Sequence, residues 1–116
     1  MLENVACADP AWLIGFPLNG PYTVRAGRLG HTRKVVSEDA LGRGPITRLV
    51  TTFRGRVRSG NSGGPLVDGK GRVVATVFAA TVGSRAGGYG VPNSRVRVAL
   101  DAARSARSVS SGPCTR

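Results

Sequence analysis

Aromatic side chains are scarce in this chain: one Trp, two Tyr and three Phe, 5% of 116 residues. A surface that stacks the bases of single-stranded nucleic acid has little to work with. Histidine is scarcer still, with His31 alone. The two cysteines, Cys7 and Cys114, lie near opposite ends. Neither they nor His31 offer metal-ligand spacing, so no metal is expected. Two pairing readings of the cysteines stand side by side, ahead of a third in which both are free thiols. Either they pair with each other and tie the termini together in an oxidising compartment, or one of them pairs with a segment outside this chain. Long apolar runs are missing too. The longest, Val73 to Val82, is about half of what a bilayer-spanning helix needs. Met1-Leu2-Glu3-Asn4 shows neither the basic nor the apolar region of a signal peptide. Any export signal or anchor is expected to lie outside the sequence.

Negative charge is the other shortage. Six acidic residues face seventeen cations, for a formal net charge of +11. Such a balance attracts phosphate. Only Lys34 and Lys70 are lysines, however, and the arginines are dispersed from Arg25 and Arg28 to Arg95, Arg97 and Arg104. A skew toward arginine arises from the base composition of coding DNA as readily as from selection for phosphate contacts. No specific nucleic-acid partner is expected. A general affinity for acidic surfaces or substrates fits better, with anion binding kept as a third functional reading.

What the chain has in quantity is glycine and turn chemistry. Hydrophobic residues make up 41% and charged residues 20%, a globular balance, and the seventeen Gly and seven Pro are scattered. That pattern predicts an all-β domain with many tight turns. At this length it is one domain, and a small barrel alone buries only a modest core. Residues 1–11 read as a lead-in segment, 12–104 as the barrel and 105–116 as a flexible tail. Trp12 to Phe16 is a short apolar run stopped by Pro17, and Asn19-Gly20-Pro21 is a turn. Residues 22–36 predict a long strand with Tyr22, Val24 and Ala26 on one face and bends or bulges at Gly27 and Gly30. A polar loop from Ser37 to Pro45 precedes a strand over 46–57. Pro65-Leu66-Val67 begins another strand, Asp68-Gly69-Lys70-Gly71 carries hairpin chemistry, and Arg72 to Thr81 reads as a buried strand. A short strand surrounds Tyr89-Gly90-Val91. Asn93 or Ser94 is expected to cap a helix whose apolar face is Val96, Ala99, Leu100 and Ala103. The sum is a six-stranded antiparallel barrel with one short C-terminal helix.

The chemistry concentrates in Gly60-Asn61-Ser62-Gly63-Gly64-Pro65. A serine hydroxyl becomes a nucleophile when a base takes its proton and backbone donors receive the oxyanion. Glycines on both sides allow the sharp bend that gathers amide groups into one concave spot. The N–H groups of Gly60 and Ser62 are the candidate donors. The same residues satisfy the G-x-S-x-G elbow of α/β-hydrolases, but that elbow needs a helix after the serine. Here Gly63-Gly64-Pro65 and an apolar β-run follow, so the elbow is excluded.

The hexapeptide resembles the G-[ND]-S-G-G-P nucleophile motif of the chymotrypsin-like, or trypsin-fold, serine proteases. Trp12 to Pro17 is similar to the opening strand of the family's second barrel. Leu66 to Ala75 resembles the strand–turn–strand after the nucleophile. Gly88-Tyr89-Gly90-Val91-Pro92 with its helix resembles the closing elements. The pattern is closest to bacterial envelope proteases of the HtrA and MarP type. The resemblance implies a Greek-key barrel, an extracytoplasmic location, no cofactor, and a serine endopeptidase acting through an acyl-enzyme on Ser62. It also implies that the base and its orienting carboxylate belong to a first barrel lying before Trp12, with no place for it in this chain. His31 sits inside a second-barrel strand, and Asp9 is followed by Pro10, so neither takes those roles. The implied substrate pocket draws on Arg56, Phe78, Ala79, Ala80, Gly88 and Gly90, with no acidic residue to select Lys or Arg. Two further expectations follow: a non-catalytic peptide-binding remnant as the alternative function, and self-association through the surface left bare by the first barrel.

Overall fold

The computed structural model describes residues 9–38, 42, 44–81, 86–105 and 107–113. Cys7 and Cys114 lie outside the described residues. Six strands form one closed antiparallel barrel: β1 (Pro10–Gly15), β2 (Thr23–Glu38), β3 (Pro45–Arg54), β4 (Pro65–Val67), β5 (Val73–Ala80) and β6 (Gly88–Pro92). A single 3-10 turn, Pro17–Asn19, links β1 to β2, and a helix α1 (Asn93–Ala103) follows β6. The order around the wall is β1-β2-β3-β6-β5-β4. The chain thus leaves β3, crosses to β4 on the far side, and returns to close beside β3. This is Greek-key connectivity.

The inward positions follow the two-residue period of strands. Ala11 and Leu13 of β1, Leu29 of β2, Phe53 of β3, Leu66 of β4 and Val77 of β5 are buried together. In β5, consecutive Val74 and Ala75 are both buried, because the register against β4 shifts between Leu66 and Val67. A bulge there turns two neighbouring side chains inward. Phe53, 2% exposed, is the one large aromatic of the core. Its ring lies over Gly27, where an added Cβ would strike the ring carbons.

That contact revises the expected role of Gly27. The irregularity in β2 falls between Leu29 and Thr32, at Gly30 and His31, whereas Gly27 leaves room for the Phe53 ring and the Arg54 carbonyl. The expected loop of 37–45 is also shorter. β2 runs to Glu38 and β3 begins at Pro45, while β3 ends three residues before the expected 57.

The helix departs further from expectation. Pro92 holds the cap position in extended backbone and no side chain caps the first turn. Asn93 is instead the first helical residue, buried, with Nδ2 donating to the Val73 carbonyl at 3.0 Å. Of the expected apolar face only Val96 is half-buried; Ala99, Leu100 and Ala103 are exposed, Leu100 by 51%. The helix runs off the barrel and meets it through β6 and β5. A helical period marks a face, but burial needs a second surface there.

Candidate active site

Two successive turns meet at Asn61, and Ser62 is the second residue of the second turn. The Asn61 N–H donates to the Arg58 carbonyl at 3.1 Å, and the Gly64 N–H to the Asn61 carbonyl at 2.9 Å. In each four-residue turn the third position is a glycine with positive φ, Gly60 at +96° and Gly63 at +84°. An i to i+3 bond with positive φ at the third residue is the pattern of a type II turn, which selects glycine there. The spacing of the two glycines about Ser62 is therefore a backbone requirement.

The bend is bolted to the barrel on two sides. The Gly63 N–H donates to the Val77 carbonyl at 2.7 Å, and the Val77 N–H to the Gly64 carbonyl at 2.9 Å. This exchange continues the β4–β5 ladder into the loop. On the other side, the Leu18 N–H donates to the Ser59 carbonyl at 2.6 Å. The fit is close. A Cβ on Gly64 would lie 2.6 Å from the Ile14 carbonyl oxygen, one on Gly60 2.5 Å from that of Phe16, and one on Gly15 2.5 Å from Asn61 Oδ1. The Asn61 side chain is buried, 3% exposed, so it anchors the crest while Ser62 points outward.

Ser62 is exposed, and its Oγ donates to the Phe78 carbonyl at 3.4 Å, a long bond. Among the described residues, neither the Gly60 nor the Ser62 amide donates a hydrogen bond.

His31 is not within reach of this hydroxyl. It lies on β2, whereas Ser62 is tied to β5. The Ser62 loop leads directly into β4, and in the closed order β4 is two steps from β2, roughly 10 Å around the wall at about 4.8 Å per step. His31 is also exposed, pointing away from the core that separates the two walls. A general base must come within about 3 Å of the proton it takes. Asp68 is occupied elsewhere. Its Oδ1 accepts from the Lys70 and Arg72 N–H groups, each at 2.9 Å, and its Oδ2 from Arg72 Nε at 2.8 Å. The Arg72 N–H holds this carboxyl below the usual aspartate range, aided by the Lys70 N–H and the guanidinium against an opposing desolvation. Among the described residues no three His, Cys, Asp or Glu side chains form a metal-ligand group.

The expected pocket residues are not equally placed. Ala79 pairs with Tyr89 and Ala80 with Gly88 along β5 and β6. Gly88 is buried, and a Cβ there would meet Val57 Cγ2 at 2.7 Å. Gly90 is buried with its missing side chain directed at the Ala75 methyl, 3.1 Å from an added Cβ, so it makes room within the core. Arg56 is exposed. Phe78 is half-buried, with the Arg48 guanidinium 5.9 Å from its ring centre, a cation–π distance. Sequence reasoning passed over Arg48, because strand pairing alone cannot show which ring it reaches. It also passed over Leu18, whose backbone is left-handed at φ +55°. The neighbouring Asn19-Gly20 turn signal was the only pointer to it.

Known proteins resemble this arrangement. A model of the trypsin-like peptidase domain matches residues 3–75. The serine protease Rv3671c of Mycobacterium tuberculosis is 31% identical over 103 residues, 88% of this chain and 26% of that protein. The active form of the Rv3671c protease superposes with a TM-score of 0.84 at 29% identity, over 97% of this chain and 50% of that one. Its inactive form gives 0.75, at 29% identity over 86% of this chain and 51% of that one. An HtrA-type protease, AlgW, with a decapeptide shares the fold at 21% identity and a TM-score of 0.72, over 94% of this chain and 33% of that one. This chain thus spans about a quarter of the curated relative and half of its solved protease chain. The barrel, the glycine-flanked serine and these matches lead to one statement of kinship: the chain belongs to the trypsin-like peptidase family.

Proposed function

We propose that this chain is the nucleophile-bearing half of a serine endopeptidase. One observation carries the reading: Ser62 projects from two glycine turns, between two amides with no acceptor among the described residues. In the reaction, Ser62 Oγ attacks a peptide carbonyl carbon while a base takes its proton. The Gly60 and Ser62 amides receive the oxyanion, and the intermediate collapses as the amine leaves with that proton. Water then releases the acyl group by the reverse sequence. The base and its orienting carboxylate are supplied by a first barrel outside the described residues, since His31 lies on the exposed face of β2, away from Ser62. Arg56, Ala79, Ala80 and Gly88 are proposed to border the substrate side chain, with Arg56 favouring polar or acidic groups. An extracytoplasmic site of action is proposed from the likeness to HtrA-type proteases.

The test is labelling by a fluorophosphonate in the presence of the first barrel. The expected result is a label on Ser62 that is lost in Ser62→Ala. A folded complex that takes no label defeats the reading. One alternative is a non-catalytic barrel that binds extended peptides, because among the described residues no histidine stands beside Ser62. Peptide binding that survives Ser62→Ala, with no turnover by the unaltered protein, would establish it.

A further inference from the structure

Folding gathers cations that the sequence keeps apart. Arg28 of β2 stands directly opposite Arg54 of β3. Their neighbours Leu29 and Phe53 pair in the core, so by the two-residue alternation both arginines lie on the outer wall. Beyond β3 the chain keeps that alternation. Arg54, Arg56 and Arg58 are exposed, while Gly55 and Val57 between them are half-buried. Gly55 lies against the Phe53 ring, where an added Cβ would be 2.6 Å from a ring carbon, and Val57 packs on the core. Two inward anchors thus hold three arginines outward in one row, with about 6.6 Å from one Cα to the next along an extended chain. The row ends at Ser59, whose carbonyl accepts the Leu18 N–H.

Stability does not ask for this arrangement. Like charges set directly opposite on a sheet are unfavourable, and most of the described acidic residues stand elsewhere. Asp68 is held in its hairpin, Asp101 meets Arg104 at 3.5 Å on α1, and Glu38 lies at the far end of β2, opposite Pro45. Asp9 lies at the Arg28 end of the row, its carbonyl accepting the Leu29 N–H. Among the described residues, no carboxylate meets Arg54, Arg56 or Arg58.

We propose that Arg54, Arg56 and Arg58, with Arg28 beside the first, form a docking row for an extended acidic segment of a partner protein. Side chains on one face of an extended peptide recur at the same interval as the row. A carboxylate at every second residue therefore meets a guanidinium, and the two groups pair bidentately. A single nucleic-acid strand fits less well, because the exposed rings that would stack its bases, Phe16 and Tyr22, are packed on each other. A second copy of this chain is repelled by its own +11. Docking here needs nothing from Ser62 and does not depend on that serine being a nucleophile.

The experiment uses the full chain with Ser62→Ala and two fluorescein-labelled nonapeptides of three Asp and six Ser, with Asp at every second or at every third position. At low ionic strength, fluorescence anisotropy is expected to show about threefold tighter binding of the first. Arg54→Gln with Arg58→Gln should weaken that binding roughly tenfold. Arg33→Gln with Lys34→Gln, the same loss of charge on the far part of β2, should change it less than about twofold. Arg54→Gln alone should raise the melting temperature by about 2 °C, because it relieves the opposition to Arg28. Equal losses from the two double variants overturn the row, since net charge alone then accounts for binding. Equal affinity for the two peptides overturns it too. An Arg54→Gln protein that melts lower does the same, since that marks a packing residue. Tighter binding of a nine-residue oligothymidylate, or of phosphatidylglycerol vesicles, with the same dependence on Arg54 and Arg58 would replace the acidic segment by nucleic acid or a membrane. Fluorophosphonate labelling of unaltered Ser62 is read separately, so a failure of the nucleophile reading leaves the peptide result untouched.

Discussion

The loop around Ser62 and the ribbon formed by the far ends of β2 and β3 are built by opposite rules. The loop is short, rich in glycine, tied at Leu18 and Val77 to two separate parts of the barrel, and packed through Asn61 against Gly15. The ribbon is long and regular. The β1 ladder on β2 stops at Arg28 and the β6 ladder on β3 covers only Thr51 to Phe53. Among the described residues, 33–38 and 45–50 are therefore laddered only to each other. Regular secondary structure here marks the less supported region and irregular backbone the more supported one. A two-stranded ribbon has little stability of its own. Chemistry placed on it would lack the positional accuracy that a nucleophile needs.

Neighbouring glycines offer the most direct way to break this comparison. Gly64 is required for space: its Cβ would lie 2.6 Å from the Ile14 oxygen and 2.9 Å from the Asn61 oxygen, both backbone atoms. Gly63 has nothing within 4 Å of a built Cβ and is required only for its φ of +84°. Gly64→Ala is expected to cost about 3 kcal/mol, as overpacking against groups that cannot turn aside. Gly63→Ala should cost about 1 kcal/mol, the conformational penalty alone. Urea denaturation of both variants checks the ranking. Equal costs would mean that the loop yields as a unit and is not bolted.

These particulars also show how much of the structure was legible beforehand. The hairpin turn was readable. Asp68-Gly69-Lys70-Gly71 signalled a hairpin, and Gly71 takes φ +76° with its N–H on the Asp68 carbonyl at 3.0 Å. β4 was placed because Pro65 fixes where the chain leaves the bend, and the two-residue period located most of the core. The roles of Gly27 and Gly30 were not separable. Both glycines signal close approach, and only the third dimension reveals whether a ring or a register shift is the cause. The α1 face misled for a related reason, since periodicity is present without a surface for Leu100 to meet. Within the candidate site, Gly60 and Gly63 follow from local backbone needs, as their positive φ shows. The Arg48–Phe78 stack and the Leu18 strain depend on where distant segments cross, and no local pattern encodes them.

A smaller effect separates the hairpin at Asp68 from both regions by its pH dependence. The carboxyl there has its proton affinity lowered by the fold, from an ordinary value of 3.8. A lowered pKa means that the folded state prefers the ionised form. Its contribution to stability is therefore complete above that value and is lost as pH falls through the lower folded one. Asp68→Asn should melt lower than the unaltered protein at pH 7, and the two curves should converge as pH drops below 3.8. A gap independent of pH would show that Asp68 acts by shape alone.

The smallest expected change tests the ribbon itself. Val36 lies on β2 opposite Thr47 and is 72% exposed. Val36→Thr keeps the β-branched shape and removes an apolar surface already in water, so the expected change is within about 0.5 kcal/mol. A loss well above that would mean that Val36 is covered in solution, by a second copy or by another segment. Sedimentation at rising concentration separates those two cases. It would also reverse the contrast drawn between ribbon and loop, because a ribbon whose outer face is buried is held by a partner and not by its own ladder.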